Sequence, residues 1–257
     1  MSDPGIAGVS NLSTRAAVFG TLVGSRALAS VPNTRPVVAE RVLGTLLERL
    51  LAGAYSPGVR LPAQRALAAE LGVTMTALRE ALKRLQQMGL IEVRHGNAMW
   101  ATDWRECGAL DVLTHLLVRR DRPDPRVLGD ILEARCYMLR ELAGLAAARA
   151  GTERAARISE LAAALAAAPD ATTATLTDFA FFTEVARAAE NIVFLLILNS
   201  IRSVYFERAE LFPVVASHEQ LAPMYVSLAG AIAAGEVETA RGIAWDLACR
   251  QRERVGV

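Results

Sequence analysis

Three observations predict a mainly α chain built in two parts. Apolar residues recur at helical spacing in most segments from residue 38 onward, and alternation of apolar and polar residues is confined to a short stretch near residues 90–101. The charge is unevenly spread: residues 1–36 carry three Arg against one Asp, residues 37–100 eight basic against five acidic groups, and residues 101–257 seventeen basic against 21 acidic. A mildly basic first part joined to an acidic second part signals two domains, although the chain as a whole is nearly neutral at +1. At 257 residues, 53% of them hydrophobic, there is enough chain for one large domain or two ordinary ones.

Residues 1–36 read as an N-terminal arm and linker. Ala16 to Gly24 is apolar and follows Arg15, a faint imitation of an export signal, but Arg26 interrupts it where a cleavage region is neutral. Val38, Val42, Leu46 and Leu50 then mark a first helix, and Tyr55-Ser56-Pro57-Gly58 a turn. Pro62 suits the first turn of a second helix, where its missing N–H costs nothing; this helix carries Leu67 and Leu71 and stops at Gly72. Thr74 is a good N-cap for a third helix with Leu78, Leu82 and Leu85 on one stripe, ending at Gly89. Leu90 to Arg94 alternates like a half-buried strand, His95-Gly96-Asn97 turns it, and Ala98 to Ala101 returns as a second strand. Three helices closed by a small β-hairpin, residues 37–101, make a winged helix-turn-helix.

From Trp104 onward every periodic segment is helical, with helices expected near 104–119, 124–150, 152–168, 175–189, 191–211, 217–234 and 236–255. Thr175-x-x-Asp178 and Ser217-x-x-Gln220 read as N-terminal boxes, which makes Asp178 a cap. The alanine runs at 146–150 and 162–168 read as close-packing surfaces, and Ile192 to Leu198 as the core of a buried helix. Seven helices over residues 102–257 form an all-α bundle.

Several functions are excluded at this level. Cys107, Cys136 and Cys249 are odd in number and widely spaced, which argues against a disulfide framework or structural zinc and fits a reducing cytoplasm. No apolar run reaches the roughly 20 residues a membrane span needs. The motifs G-x-x-x-x-G-K-[ST], G-x-S-x-G, H-E-x-x-H and G-x-G-x-x-G are absent, so catalysis is not expected.

The third helix carries the chemistry. With its leucines facing the core, Met75, Thr76, Arg79, Lys83 and Gln86 fall on the opposite side. A helix fits the major groove of duplex DNA, where its N-terminal residues meet base edges. Thr74, Thr76 and the first backbone N–H groups suit phosphate oxygens. Arg79 is long enough for a guanine edge, and Arg65 on the preceding helix for a groove edge or the backbone. His95-Gly96 at the hairpin tip suits a minor-groove contact. The expected partner is double-stranded DNA.

The stretch Tyr55-Ser-Pro-Gly-Val-Arg-Leu-Pro-Ala-Gln-Arg-Ala-Leu-Ala-Ala-Glu-Leu-Gly-Val-Thr, followed by Ala77-Leu-Arg-Glu-Ala-Leu-Lys-Arg-Leu and Gly89-Leu-Ile, resembles the GntR family of bacterial repressors. Arg94-His95-Gly96, Leu110-x-x-Leu113, Asp178-x-x-x-Phe182 and Leu196-Ile197-Leu198-Asn199 are similar to the FadR group within it. The resemblance spans residues 37–255. It implies a homodimer on a palindromic operator, released by a small-molecule effector bound in the bundle, with DNA contacts at Arg65, Thr74, Thr76, Arg79, His95 and Gly96. Two positions depart: Met75 stands where the group usually has a base-reading Arg, and Asn97 where Lys is frequent. A thioether cannot donate two hydrogen bonds to guanine, so the group's usual operator is not expected; Met75 is suited to a thymine methyl instead.

FadR-group bundles bind either a metal, through an Asp and three His, or a long-chain acyl-CoA without metal. Here Phe182, Val226 and Cys249 align with the His positions, so no metal and no other cofactor is expected. An acyl-CoA or fatty acid is the preferred effector. Arg135, within Glu133-x-Arg135, aligns where relatives hold an anionic group, and the expected pocket is Arg135, Asp178, Asn199, Arg202 and Tyr205. Along the final helix Ala248, Gln251 and Val255 replace the fatty-acid regulators' pattern of small and polar residues with a Trp. The alternatives are a metal-dependent carboxylate sensor or hydrolase on the same bundle, and a DNA-binding dimer without effector.

Overall fold

The computed structural model describes residues 36–94, 98–119, 122–202 and 218–255. The chain divides into two compact units after residue 121. Both are dominated by helix, with a small antiparallel sheet in the first, as the sequence predicts. Among the described residues no helix is long and apolar enough to cross a membrane.

The first unit opens with α1 (Pro36–Leu51). Its buried stripe is Ala39, Val42, Leu43, Leu46, Leu47 and Leu50, and the expected Val38 is exposed. Residues spaced strictly by four rotate by about 40° per step on an α-helix, so a stripe begun at Val42 has left Val38 behind. α2 (Gln64–Leu71) begins two residues after Pro62 and ends at Gly72, whose φ of 63° is the left-handed conformation glycine tolerates best. Thr74 caps α3 (Met75–Gln87) by accepting the Ala77 N–H at 3.3 Å. Leu78, Ala81, Leu82 and Leu85 are buried, and α3 packs against α1 and α2.

After α3, Gly89 takes φ 72°. A Cβ there would also sit 2.0 Å from the Cys107 carbonyl oxygen, so no other residue fits. β1 (Ile91–Arg94) and β2 (Ala98–Ala101) pair antiparallel, Ile91 opposite Ala101 and Arg94 opposite Ala98. Beyond Ile91 the outer end of β1 is exposed, Val93 included, while Met99 opposite Val93 on β2 is buried. The turn before α2 adds an edge that periodicity did not reveal. Gly58 donates to the Ala101 carbonyl, Ala101 to that of Val59, and Leu61 to that of Met99, at 2.8–2.9 Å. The single helix expected over 104–119 is two, α4 (Trp104–Cys107) and α5 (Asp111–Leu117), and Val118–Arg119 is a short strand rather than helix. Gly108 breaks the expected helix by turning extended, at ψ 137°.

The second unit contains α6 (Pro125–Arg149), α7 (Thr152–Ala166), α8 (Ala171–Ala188), α9 (Ile192–Ser200), α10 (His218–Ala233) and α11 (Val237–Val255). α6 and α11 form its most extensive helix pair, α7 packs on α8 and α10, and α6 on α8. Of the alanine runs expected to be close-packing surfaces, Ala146, Ala147, Ala162 and Ala168 are buried, whereas Ala148, Ala163, Ala166 and Ala167 face solvent.

Two expectations fail here. α8 starts four residues early, because Asp170 rather than Thr175 is its cap, accepting the Thr173 N–H at 2.7 Å. Thr175 and Asp178 therefore lie inside the helix and are buried. The helix opened by Asn191 is not a buried core: Ile192, Val193 and Leu196 are 64%, 60% and 59% exposed. α8, buried on nearly every side from Ala174 to Ala186, is the central helix instead. The second error arises because an apolar run does not report in its sequence what covers it. Ser217 and the segment 203–216 lie outside the described residues.

Candidate nucleic-acid interface and effector site

The turn from α2 into α3 is fixed by the left-handed Gly72, by the Val73 N–H to the Ala68 carbonyl at 3.0 Å, and by the Thr74 cap. It sets the N-terminal end of α3 at the surface. Thr74, Thr76, Arg79, Lys83 and, on α2, Arg65 are exposed, and Met75 is half-buried. The leucine stripe holds the opposite side inward and leaves Thr76, Arg79 and Lys83 to solvent.

Several cations of this unit are paired within it. Arg49 pairs with Glu70 at 2.6 Å, Arg84 with Glu40, and Arg94 with Glu92 at 2.9 Å. Arg94 also lies over the Trp100 ring, 5.0 Å from its centre. Among the described residues no carboxylate lies in ion-pair range of Arg65, Arg79 or Lys83. These three cations are solvated and available to an anion such as a phosphate or a guanine edge. His95 and Gly96 lie outside the described residues.

The second unit holds its charges inside. Arg135 of α6 and Asp178 of α8 are 7% and 1% exposed. One guanidinium nitrogen, Nη2, donates to both Asp178 oxygens at 3.1 and 3.0 Å, and Nη1 donates to Gln251 Oε1 of α11. Tyr225 of α10 donates its hydroxyl to Asp178 Oδ1 at 2.5 Å, and Gln251 Nε2 donates back to the Tyr225 oxygen at 2.7 Å. Four helices thus contribute one side chain each to a closed polar ring. Burial, and next the Asp178 charge, raise the Tyr225 hydroxyl well above its ordinary pKa, so it stays protonated and donates. The ring is roofed by aromatic groups: Arg135 lies 5.2 Å over the Phe182 ring, and Phe181 meets Phe182 and Tyr225 edge-on with centres 5.1 Å apart.

Sequence-level assignments are corrected at several points. Asp178 is not a cap but the carboxylate of a buried ion pair. The residues facing it from α10 and α11 are Tyr225 and Gln251, not Val226 and Cys249; Val226 is exposed and Cys249 faces Cys136. Glu133 and Arg135 point to different partners, Glu133 accepting from exposed Arg252 at 3.3 Å. Arg202, just beyond the end of α9, donates to Asn199 Oδ1 at 2.5 Å rather than joining the ring. Tyr205 lies outside the described residues. Tyr225 was missed because a tyrosine in an apolar helix reads as core; its signal was a phenol that needs a hydrogen-bond partner once buried. Among the described residues no cluster of three or more His, Cys, Asp or Glu is placed to hold a metal. The groups bonded to Asp178 are a guanidinium and a phenol, a poor donor set for zinc or manganese.

A winged helix-turn-helix with a solvated cationic reading face, joined to an all-α bundle, defines a DNA-binding regulator with an effector module. The chain belongs to the GntR family of bacterial regulatory proteins, whose model matches residues 38–100, and carries an FCD domain over residues 130–247. It is 36% identical over 221 residues to the HTH-type transcriptional regulator Mce2R of Mycobacterium tuberculosis, covering 86% of this chain and 92% of that one. It is 31% identical over 161 residues to the fatty acid metabolism regulator protein of Yersinia enterocolitica, covering 62% and 66%. The fold is similar to that of Lar, which controls expression of the Listeria monocytogenes agr system, with TM-score 0.54 at 16% identity over 90% of this chain and 99% of that one. It is a transcriptional regulator, not an enzyme.

Proposed function

We propose that this regulator is a cytoplasmic homodimeric repressor that binds a palindromic operator and is released by an anionic amphiphile such as an acyl-CoA or fatty acid. Residues 37–101 read DNA, residues 102–257 bind the effector and dimerise, and residues 1–36 serve as arm and linker. The observation carrying the reading is that Arg65, Arg79 and Lys83, around a capped helix start, are exposed with no carboxylate in ion-pair range among the described residues. Arg65 and Arg79 supply most of the sequence preference, Thr74, Thr76 and Lys83 hold phosphate, Met75 touches a thymine methyl, and His95 and Gly96 enter the minor groove. Dimerisation is supported by the exposed apolar face of α9, since large apolar patches on a regulator call for a partner surface.

The effector's anionic head binds at Arg135, competing with Asp178, which serves as an internal counter-anion in its absence; Asn199, Arg202 and Tyr205 act at the pocket's margin. Exchange of one anion for another alters how α6, α8 and α11 are tied together. Only a difference in effector affinity between the two arrangements can drive release from DNA. Selection of bound duplexes from a random pool, followed by gel-shift titration of the enriched site with each acyl chain length, tests this. A two-fold-symmetric site released by a thioester or fatty acid is expected; an asymmetric site, or release by neither, contradicts it.

One observation favours a second reading, a DNA-binding dimer whose bundle senses nothing: the Arg135 ring closes on itself. Thermal shift separates the two, because only the sensing bundle is stabilised by ligand.

A further inference from the structure

Outside the sites already described, one pair of nucleophilic side chains remains unassigned. Cys136 of α6 and Cys249 of α11 place their sulfurs 3.9 Å apart. They lie on an antiparallel seam that is well tied along its length. Glu133 meets Arg252, Tyr137 meets Trp245 edge-on at 5.2 Å, and Glu141 meets Arg241 at 3.1 Å. The two helix backbones are thereby held facing each other across the thiols. A disulfide bond is about 2.05 Å long, so closure asks for about 2 Å of movement shared between two side chains.

We propose that Cys136 and Cys249 form a dithiol that a hydroperoxide oxidises to a disulfide, stapling α6 to α11 beside the buried Arg135 ring. The two sulfurs have different roles because their surroundings differ. Cys136 is buried, and its thiol donates to the Leu132 carbonyl at 3.2 Å. Burial, and next the neighbouring Cys249, push it up to about 11, so it is not the first nucleophile. Cys249 is only partly buried and meets the oxidant. Its thiolate attacks the peroxide O–O bond, taking one oxygen to become a sulfenic acid while the other oxygen leaves as water after protonation. Cys136 sulfur then attacks the sulfenic sulfur; the S–O bond breaks, and the departing hydroxide takes the Cys136 proton as a second water. Two thiols and one hydrogen peroxide give one disulfide and two waters.

The position of the staple gives it a consequence. Arg135 adjoins Cys136 in sequence and Gln251 is two residues from Cys249, and these two side chains bond to each other within the ring. Drawing α6 and α11 together at the sulfurs acts directly on that contact. The proposal does not depend on any effector, because it concerns only thiols of this chain.

The test uses the full-length chain with the exposed Cys107 replaced, Cys107→Ser, so that only the pair can react. It is treated with equimolar hydrogen peroxide, alkylated and mapped without reductant. The expected result is loss of both free thiols, a linked peptide joining residues 136 and 249, and full recovery of both thiols with dithiothreitol. In a further variant, Cys136→Ala, the sulfenic acid at Cys249 is expected to persist and to be captured by dimedone. Mapping the unsubstituted chain in the same way keeps the result independent of any substitution. Retention of both thiols, or oxidation of Cys249 to sulfinic acid with Cys136 still free, overturns the proposal.

Discussion

The outer face of α3 and the interior around α8 handle charge in opposite ways. On α3, Arg79 and Lys83 stand in solvent with no carboxylate in ion-pair range among the described residues. Around α8, Arg135 and Asp178 are removed from water and bonded in turn to Tyr225 and Gln251. Water solvates a surface cation until an external anion replaces it, so such a residue adds little to stability and much to binding. A buried cation needs its counter-charge from the moment of folding, because desolvation of an isolated ion costs several kcal/mol. The two regions should therefore separate cleanly when substituted, one losing recognition and the other losing the fold.

The largest effect is expected inside. Asp178→Ala leaves the Arg135 guanidinium buried without its counter-ion and should cost about 3–5 kcal/mol of stability, read from urea unfolding. Replacing both members by apolar residues should recover much of the loss. A single substitution costing under about 1 kcal/mol would show that water already reaches the pair. Next comes Arg79→Ala, which should weaken operator binding by roughly 5- to 150-fold, the equivalent of about 1–3 kcal/mol, with urea stability unchanged. Equal losses of stability and binding would erase the contrast. Thr74→Ala sits between the two regions in character: loss of the α3 cap should cost about 1 kcal/mol of stability in the first unit and weaken binding as well. Lys83→Ala is subtler. It should weaken binding alike for all sequences and lower the slope of log affinity against log salt by about 1.

The smallest effect concerns pH. His115 on α5 is held below its ordinary value of 6.5, first by burial and then by the Arg84 charge. Its neutral form is thus the one the folded unit prefers. The unfolded chain takes up the proton first as pH falls. The stability contributed by neutral His115 is fully present above about 6.5 and is lost as pH drops from there through the lower folded value. Chemical unfolding of the chain and of His115→Gln between pH 7 and 5 should show the steeper loss of stability in the former.

How far the sequence could be read follows the same divide. The first unit was legible almost residue by residue, because its signals are local. Gly72 and Thr74 mark the end of one helix and the start of the next through their own backbone and side-chain preferences, and the leucine stripe of α3 leaves one solvent face by elimination. The bundle was legible as helices but not as a site. Its ring joins α6, α8, α10 and α11 across as many as 116 residues, and no spacing rule reports such a meeting. Asp178 looked like a cap because acidic residues usually are, and the better cap, Asp170, lay eight residues earlier. Tyr225 and Gln251 gave no periodic signal of their own. Ile192 to Leu198 misled for the converse reason: apolar sequence states that a surface seeks cover but not whether this chain provides it.

The central claim is that the exposed face of α3 meets DNA bases. The most direct measurement places a photo-crosslinking residue at Thr76 and, as the contrasting position, at Glu153 on the exposed start of α7, then irradiates each with labelled operator. Covalent capture of DNA from position 76 within the selected half-sites, and none from position 153, is the predicted result. Capture from position 153 but not from 76 would contradict it.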